Sequence, residues 1–109
     1  MPGQPTFVTC DPSNNTASPD PVPVSGQNVV LKFKLKDPNL YKWASPAITI
    51  DNGGTQFTAP SLGNDGAISV TDSNTDSVKY TYSFSAVLKA SGKAVSVDPA
   101  IQNGAANTT

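Results

Sequence analysis

The side chains that could perform chemistry in this chain are almost all lysines and aspartates. The 109 residues include seven Lys and eight Asp, but no Arg, Glu or His. Without His and Glu, neither a Ser-His-Asp nor a Cys-His arrangement can form within the chain. Most of the aspartates stand beside Pro, Gly, Asn or Ser, where Asp bonds its own backbone in turns. We therefore expect a protein that is not an enzyme and that uses no cofactor.

One group of oxygen-bearing residues has the spacing of a calcium loop. Asp72, Asn74 and Asp76 alternate with Ser73 and Thr75, which matches the 1, 3 and 5 positions that open an EF-hand. The sixth position is not Gly and the twelfth is not Glu, as an EF-hand would require. The segment therefore has two interpretations, a calcium ligand set or a polar turn between two strands.

Two aromatic residues could form a stacking surface. Tyr41 and Trp43 flank Lys42 in a segment with little regular pattern. If the segment is a loop, the two rings could bind a sugar or a partner protein. The alternative places the Trp43 indole in the core, between two sheets.

A basic stripe occupies one face of a predicted strand. Lys32, Lys34 and Lys36 alternate with apolar residues, so their side chains share a face. The stripe could meet an acidic partner or a polyanion. The alternative is a solvated face, on which lysines discourage aggregation between strand edges.

The element that must organise these residues is the stretch from Val78 to Lys89. Its apolar and aromatic residues occupy alternate positions, which are Val78, Tyr80, Tyr82, Phe84, Ala86 and Leu88. A period of two is typical of a strand with one buried face. Twelve extended residues would span about 40 Å, which is long for a strand. We therefore expect a central strand with a bulge, bend or overhang near Ala86 to Leu88.

The rest of the chain reads as shorter strands separated by turns. Residues 28–36 alternate in the same way and place Phe33 inward, and Phe7 is predicted to join the core from a strand at 6–10. Residues 47–50 and 55–58 flank Asn52-Gly53 and predict a hairpin. Residues 67–70 and 94–97 are further strands, and residues 21–24, with two prolines, can form at most an edge strand.

This pattern predicts an all-β protein, with about seven strands in a single antiparallel β-sandwich. We expect residues 1–102 to form that domain and residues 103–109 to form a disordered tail. Because the chain has one cysteine, Cys10, it cannot contain an internal disulfide.

Two segments resemble the immunoglobulin sandwich pattern. Residues 26–33 are similar to the Gly-x-x-Val-x-Leu-x-Cys of strand B, and residues 76–82 to the Asp-x-Ala-x-Tyr-x-Cys of strand F. Phe33 and Tyr82 stand at the two cysteine positions. The resemblance implies an immunoglobulin-like fold in which Trp43 packs from strand C. It also implies that Tyr80 is a tyrosine-corner residue, its hydroxyl bonded to nearby backbone.

A second resemblance rests on the Asp-Pro dipeptides. Asp98-Pro99 and the residues after it, which follow a final predicted strand, look like the DP-EP family of small bacterial proteins. That family has no established function, so the resemblance implies a bacterial source but no activity.

The amino-acid composition argues against two kinds of partner, nucleic acid and the membrane interior. A net charge of −1 with no Arg argues against a nucleic-acid partner, and no apolar run approaches the length of a membrane span. If Met1 is the native start, we expect a cytoplasmic protein; otherwise we expect an exported one whose leader has been removed.

The leading hypothesis for the function is a non-catalytic binding or structural module that acts through protein–protein contacts or self-association. The alternative is a carbohydrate- or calcium-binding module.

Overall fold

The structure is a computed structural model that describes residues 5–26, 28–51, 56–64 and 66–104, except for the side chains of residues 45 and 46. The described residues contain ten strands and no helix. Their bounds are β1 Thr6–Asp11, β2 Thr16–Ser18, β3 Val22–Val24, β4 Val29–Leu35, β5 Tyr41–Ile50, β6 Ser61–Leu62, β7 Ile68–Asp72, β8 Lys79–Leu88, β9 Ala94–Val97 and β10 Ala100–Asn103.

The strands form two packed sheets, so the predicted all-β sandwich is confirmed. One sheet has the order β2-β1-β4-β7-β6, and the other has the order β3-β10-β8-β5 with β9 also paired to β8. Seven of the ten strands have four or more residues, in agreement with the predicted count. The order, with β4 beside β7 and β8 between β5 and β10, is consistent with the immunoglobulin-like topology.

Alternating residues of β4 and β8 form the centre of the core, as their period of two predicts. Leu31 and Phe33 from β4, and Tyr82 and Phe84 from β8, are fully buried. The Phe33 and Tyr82 rings lie 5.0 Å apart between centroids, tilted by 55°. Two packed rings thus occupy the positions where the immunoglobulin pattern has its cysteines, while Cys10 is buried and free.

The sandwich is not wholly antiparallel, which corrects the predicted topology. β1 runs parallel to β4, and β3 runs parallel to β10. The segment with Pro21 and Pro23 does form an edge strand, β3. The chain crosses from one sheet to the other between β2 and β3. The pair β1 and β2 therefore lies at one side of the first sheet, next to β4, and β3 lies at the edge of the second sheet, next to β10.

Phe7 was predicted to lie in the core, but it is 54% exposed. β1 instead directs Val8 and Cys10 inward, and both are fully buried. Because side chains alternate between faces, Phe7 must then point outward. There, the Lys34 ammonium lies 5.6 Å from the centroid of its ring.

The predicted hairpin between residues 47–50 and 55–58 is wrong in its pairing. Its turn, Asn52-Gly53, lies outside the described residues. Beyond it, Phe57 forms a bridge with Asp72, and the Thr58 amide donates to the Thr71 carbonyl. Residues 56–58 therefore attach to β7, in the opposite sheet from β5.

The irregularity expected near the end of β8 falls in its partner, β5. β8 pairs with β9 in unbroken register from Phe84 to Val87. On the other side, Trp43 pairs with Ala86 but Ile48 pairs with Phe84, so β5 carries the register shift. β5 thus bulges away from a regular β8.

The C-terminal boundary is later than predicted. Asn103 was assigned to a disordered tail, but it ends β10 and is almost fully buried. Residues 105–109 of the predicted tail lie outside the described residues. In the part of the chain that the structure describes, no helix is long and apolar enough to span a membrane.

Candidate functional site

The predicted calcium residues belong to a buried polar cluster, which comprises Gln56, Asp72, Asn74, Asp76 and Asn103. Asp72 is 0% exposed, Asn74 is 1% exposed and Asp76 is half-buried. The connection from β7 to β8 brings the three predicted residues, Asp72, Asn74 and Asp76, close together, as their spacing implied. It does not expose them in an open loop.

Asn74 joins three parts of the chain. Its side-chain amide donates to the Gly26 carbonyl at 2.6 Å, and its Oδ1 accepts the Gly104 amide at 2.9 Å. Asn74 adopts a positive φ of 55°, a conformation that Asn tolerates better than most residues. Both ends of its side chain are engaged, so Asn74 acts as a structural link between the segment before β4 and the end of β10.

Tyr80 donates a hydrogen bond to Asp76, four residues earlier. The resemblance implied a backbone partner for this hydroxyl, whereas the structure gives the Asp76 Oδ2 carboxylate oxygen at 2.5 Å. That hydrogen bond, and then burial, raise the pKa of Tyr80 to about 12. The phenol therefore stays protonated and holds Asp76 in place.

Two members of the polar cluster had no signal in the sequence. Asn103 donates to Asp76 Oδ1 at 2.9 Å and to Gln56 Oε1 at 3.2 Å. Gln56 Oε1 also accepts the Thr75 amide at 2.9 Å. Asn103 and Gln56 are far from Asp76 in sequence, so only the pairing of β10 with β8 and of residues 56–58 with β7 could have revealed them.

The cluster contains two buried oxygens without a hydrogen-bond partner among the described residues, Asp72 Oδ2 and Asn103 Oδ1. The other Asp72 oxygen, Oδ1, accepts the Asn74 amide at 2.9 Å. Burial raises the pKa of the Asp72 carboxyl to about 6, and the hydrogen bond from the Asn74 amide opposes this rise. An unpaired buried carboxylate oxygen is unfavourable unless a donor or cation meets it.

The predicted aromatic platform lies on the inner side of β5. Tyr41 is buried and Trp43 is half-buried, while Lys42 between them is exposed. The Trp43 ring packs edge-on against Phe84 with centroids 6.5 Å apart, and its Nε1 donates to the Gly66 carbonyl at 2.9 Å. Trp43 thus packs against the core, which agrees better with the interpretation that places its indole between the sheets than with an exposed platform. Sugar binding by this pair stays a prediction.

The basic stripe lies on the outer face of the β1–β4 sheet. Lys36 forms an ion pair with Asp11 at 3.5 Å, Lys34 lies over Phe7, and Lys32 is half-exposed. Lys34 and Lys36 therefore already interact with residues of β1, the neighbouring strand in the same sheet. Recognition of an acidic partner by this stripe stays a prediction.

An apolar groove runs beside β5, where the two sheets meet at one side of the sandwich. We call it the β5 groove. It consists of two adjoining hollows, of about 340 and about 280 Å³, that share Ile48 and Pro60. Trp43 and Leu62 line the first hollow and Phe57 lines the second. Leu62 is 62% exposed, so an apolar side chain stands at the rim of the groove.

Along this groove, no strand of the described residues covers the edge of β5. β5 pairs with β8, and no other described strand pairs with it. The groove was not predicted from the sequence, because the hairpin expected from Asn52-Gly53 would have placed residues 55–58 against β5 and covered that edge. The remaining signal was Pro46 within β5, since proline in a strand favours an edge position.

No functional assignment comes from comparison with known proteins. Neither a protein-family model nor a curated protein sequence matches the chain.

Proposed function

We propose that this protein is a non-catalytic binding module that recognises an extended segment of a partner protein in the β5 groove. The observation that carries the proposal is the open edge of β5 beside continuous apolar hollows. The proposal treats the domain as an immunoglobulin-like sandwich, a scaffold on which binding properties depend on particular surfaces.

An extended segment fits the groove better than a compact ligand does. The β5 residues that line the hollows run from Trp43 to Ile50. Because β5 bulges between them, their partners on β8, Ala86 and Tyr82, are only four residues apart, a distance of about 13 Å in a strand. The open edge offers backbone donors and acceptors to an added strand, and apolar hollows accept its alternate side chains. The expected partner sequence therefore has apolar residues at every second position.

Leu62 should contribute to binding. Its side chain is largely exposed in the free protein, and covering an exposed leucine contributes on the order of 1 kcal/mol. A charge at this position would oppose binding because it would lose water on contact with an apolar partner. Leu40 provides a matched control: it is 55% exposed and does not line the groove.

Selection from a phage-displayed library of random peptides tests the proposal without a known partner. We expect peptides with alternating apolar residues to be enriched on the wild-type protein, to bind Leu40→Asp, and to be lost on Leu62→Asp. Binding should also shift the emission of Trp43, which lines the groove. Enriched peptides that bind Leu62→Asp as well as wild type would contradict the proposal.

Self-association is the second form that this function could take. Light scattering coupled to size exclusion would detect it as a dimer that Leu62→Asp disperses and Leu40→Asp does not. In that case the occupant of the groove is a second copy of the chain.

A further inference from the structure

We infer that the polar cluster binds a hard cation, with Asp72, Asp76 and Asn103 as its side-chain ligands. The site is separate from the β5 groove, and the inference does not depend on the proposed binding of a partner protein. It differs from the ligand set that the sequence spacing suggested, because Asn74 is replaced by Asn103 from β10.

The first observation is the pair of unpartnered oxygens. Asp72 Oδ2 and Asn103 Oδ1 belong to side chains that are 0% and 1% exposed, and neither oxygen has a hydrogen-bond partner among the described residues. Buried acceptors normally meet a donor, an ordered water or a cation. Carboxylate and amide oxygens are the ligands that calcium prefers.

The second observation is the charge of the cluster. Asp72 and Asp76 are close enough for their negative charges to repel each other, and the groups that act on the Asp72 carboxyl include no lysine of the described residues. A buried carboxylate that lies near a second carboxylate and has no basic partner is costly. A bound cation would offset the cost, whereas a bound water would not remove the repulsion.

The ligands are held in place by the surrounding structure. Asn103 donates its amide to Asp76 Oδ1, and Tyr80 donates its hydroxyl to Asp76 Oδ2. The Val78 amide also donates to Asp76 Oδ1. Together these bonds leave the Asn103 oxygen free and one lone pair on Asp76 Oδ2. Asn74 cannot serve in the same way, because its Oδ1 already accepts the Gly104 amide.

The site is completed by water or backbone oxygens, because calcium takes six to eight oxygen ligands. Among the described residues, no three Asp or Cys side chains converge on one point as a metal centre. The proposed site therefore takes its third side-chain ligand from the amide of Asn103.

Calcium alone is the probe. Thermal unfolding of the wild-type protein is compared in chelator and in millimolar CaCl₂, and calorimetric titration measures binding directly. We expect calcium to raise the melting temperature by at least about 4 °C at saturation. Asp72→Asn should abolish this rise, while the matched control Asp51→Asn, in the exposed turn after β5, should retain it.

Asn103→Asp gives a second test that does not depend on losing a ligand. In chelator, the added carboxylate should lower the melting temperature below that of wild type, and calcium should then raise it by more than in wild type. Circular dichroism establishes that each variant is folded. A wild-type protein with neither a shift nor binding heat would overturn the inference, as would an equal calcium shift in Asp72→Asn.

Discussion

Tyr80 and Tyr82 lie two positions apart on β8, and their hydroxyls are in opposite situations. The Tyr80 hydroxyl donates to the Asp76 carboxylate. The Tyr82 hydroxyl is buried and has no hydrogen-bond partner among the described residues. The two residues have the same chemistry and belong to one face of one strand, so their phenylalanine variants isolate the effect of the hydrogen bond.

Tyr80→Phe should lower the free energy of unfolding by on the order of 1 kcal/mol, because it removes a donor from a carboxylate. Tyr82→Phe should leave it unchanged or raise it by up to about 1 kcal/mol, because it removes a buried hydroxyl that has no partner. Urea denaturation of both variants measures the difference. A larger loss in Tyr82→Phe than in Tyr80→Phe would contradict the assignment of the Tyr80 hydroxyl.

The Asp72 carboxyl predicts a dependence of stability on pH in the chelated protein. Its pKa is raised from 3.8 to about 6 by burial, so between these values the folded protein holds a proton that the unfolded chain lacks. The free energy of unfolding should therefore fall as pH rises from about 4 to about 6, by at most roughly 3 kcal/mol.

Asp72→Asn, measured in chelator, should lose this fall and exceed wild type in stability at pH 7. The comparison of the two proteins isolates Asp72, because Asp11 and Asp76 have lowered pKa values and titrate in both. Identical pH profiles for wild type and Asp72→Asn would contradict the burial of an ionised Asp72.

At the scale of elements, the strands with strict alternation were predictable and the connections between them were not. In β4 and in β8, apolar residues occupy every second position, so the inward face of each strand could be predicted from the sequence. β1 has apolar residues on both faces, Phe7 and Val8 among them, and the pattern alone could not choose between two registers. The face of β1 that points inward is fixed by the parallel pairing of β1 with β4, a long-range contact.

The register of β1 predicts an inverted order of mutational effects. Val8→Ala should lower the free energy of unfolding by about 2 kcal/mol, because it opens a cavity in the core. Phe7→Ala should lower it by less than about 1 kcal/mol, although Phe is larger, because Phe7 is 54% exposed and its ring lies on the outer face beneath Lys34. Thermal or urea denaturation measures both values. A greater loss for Phe7→Ala would place Phe7 in the core, as the sequence alone predicted.

The same limit explains how much of the candidate sites was foreseen. Asp72, Asn74 and Asp76 are close in sequence, so their clustering was predictable from spacing. Asn103 reaches them only because β10 pairs with β8. The β5 groove was not foreseen because it depends on residues 56–58 crossing to β7, a long-range pairing that local turn chemistry did not indicate.

At the scale of the molecule, the polar cluster and the β5 groove are adjacent but have no residue in common. Gln56 belongs to the polar cluster, and its neighbour Phe57 lines the β5 groove. Phe57 also packs edge-on against Tyr80, with centroids 5.1 Å apart. Binding measurements on the groove should therefore be made both in chelator and in calcium, so that an effect of one site on the other is visible.

The central claim is that the β5 groove binds an extended partner segment, and calorimetric titration of one selected peptide tests it most directly. The peptide is titrated into wild type, Leu62→Asp and Leu40→Asp under the same conditions. The account predicts that Leu62→Asp weakens binding by about 10-fold or more, whereas Leu40→Asp changes it by less than about 2-fold. Equal affinity for wild type and Leu62→Asp would contradict the account.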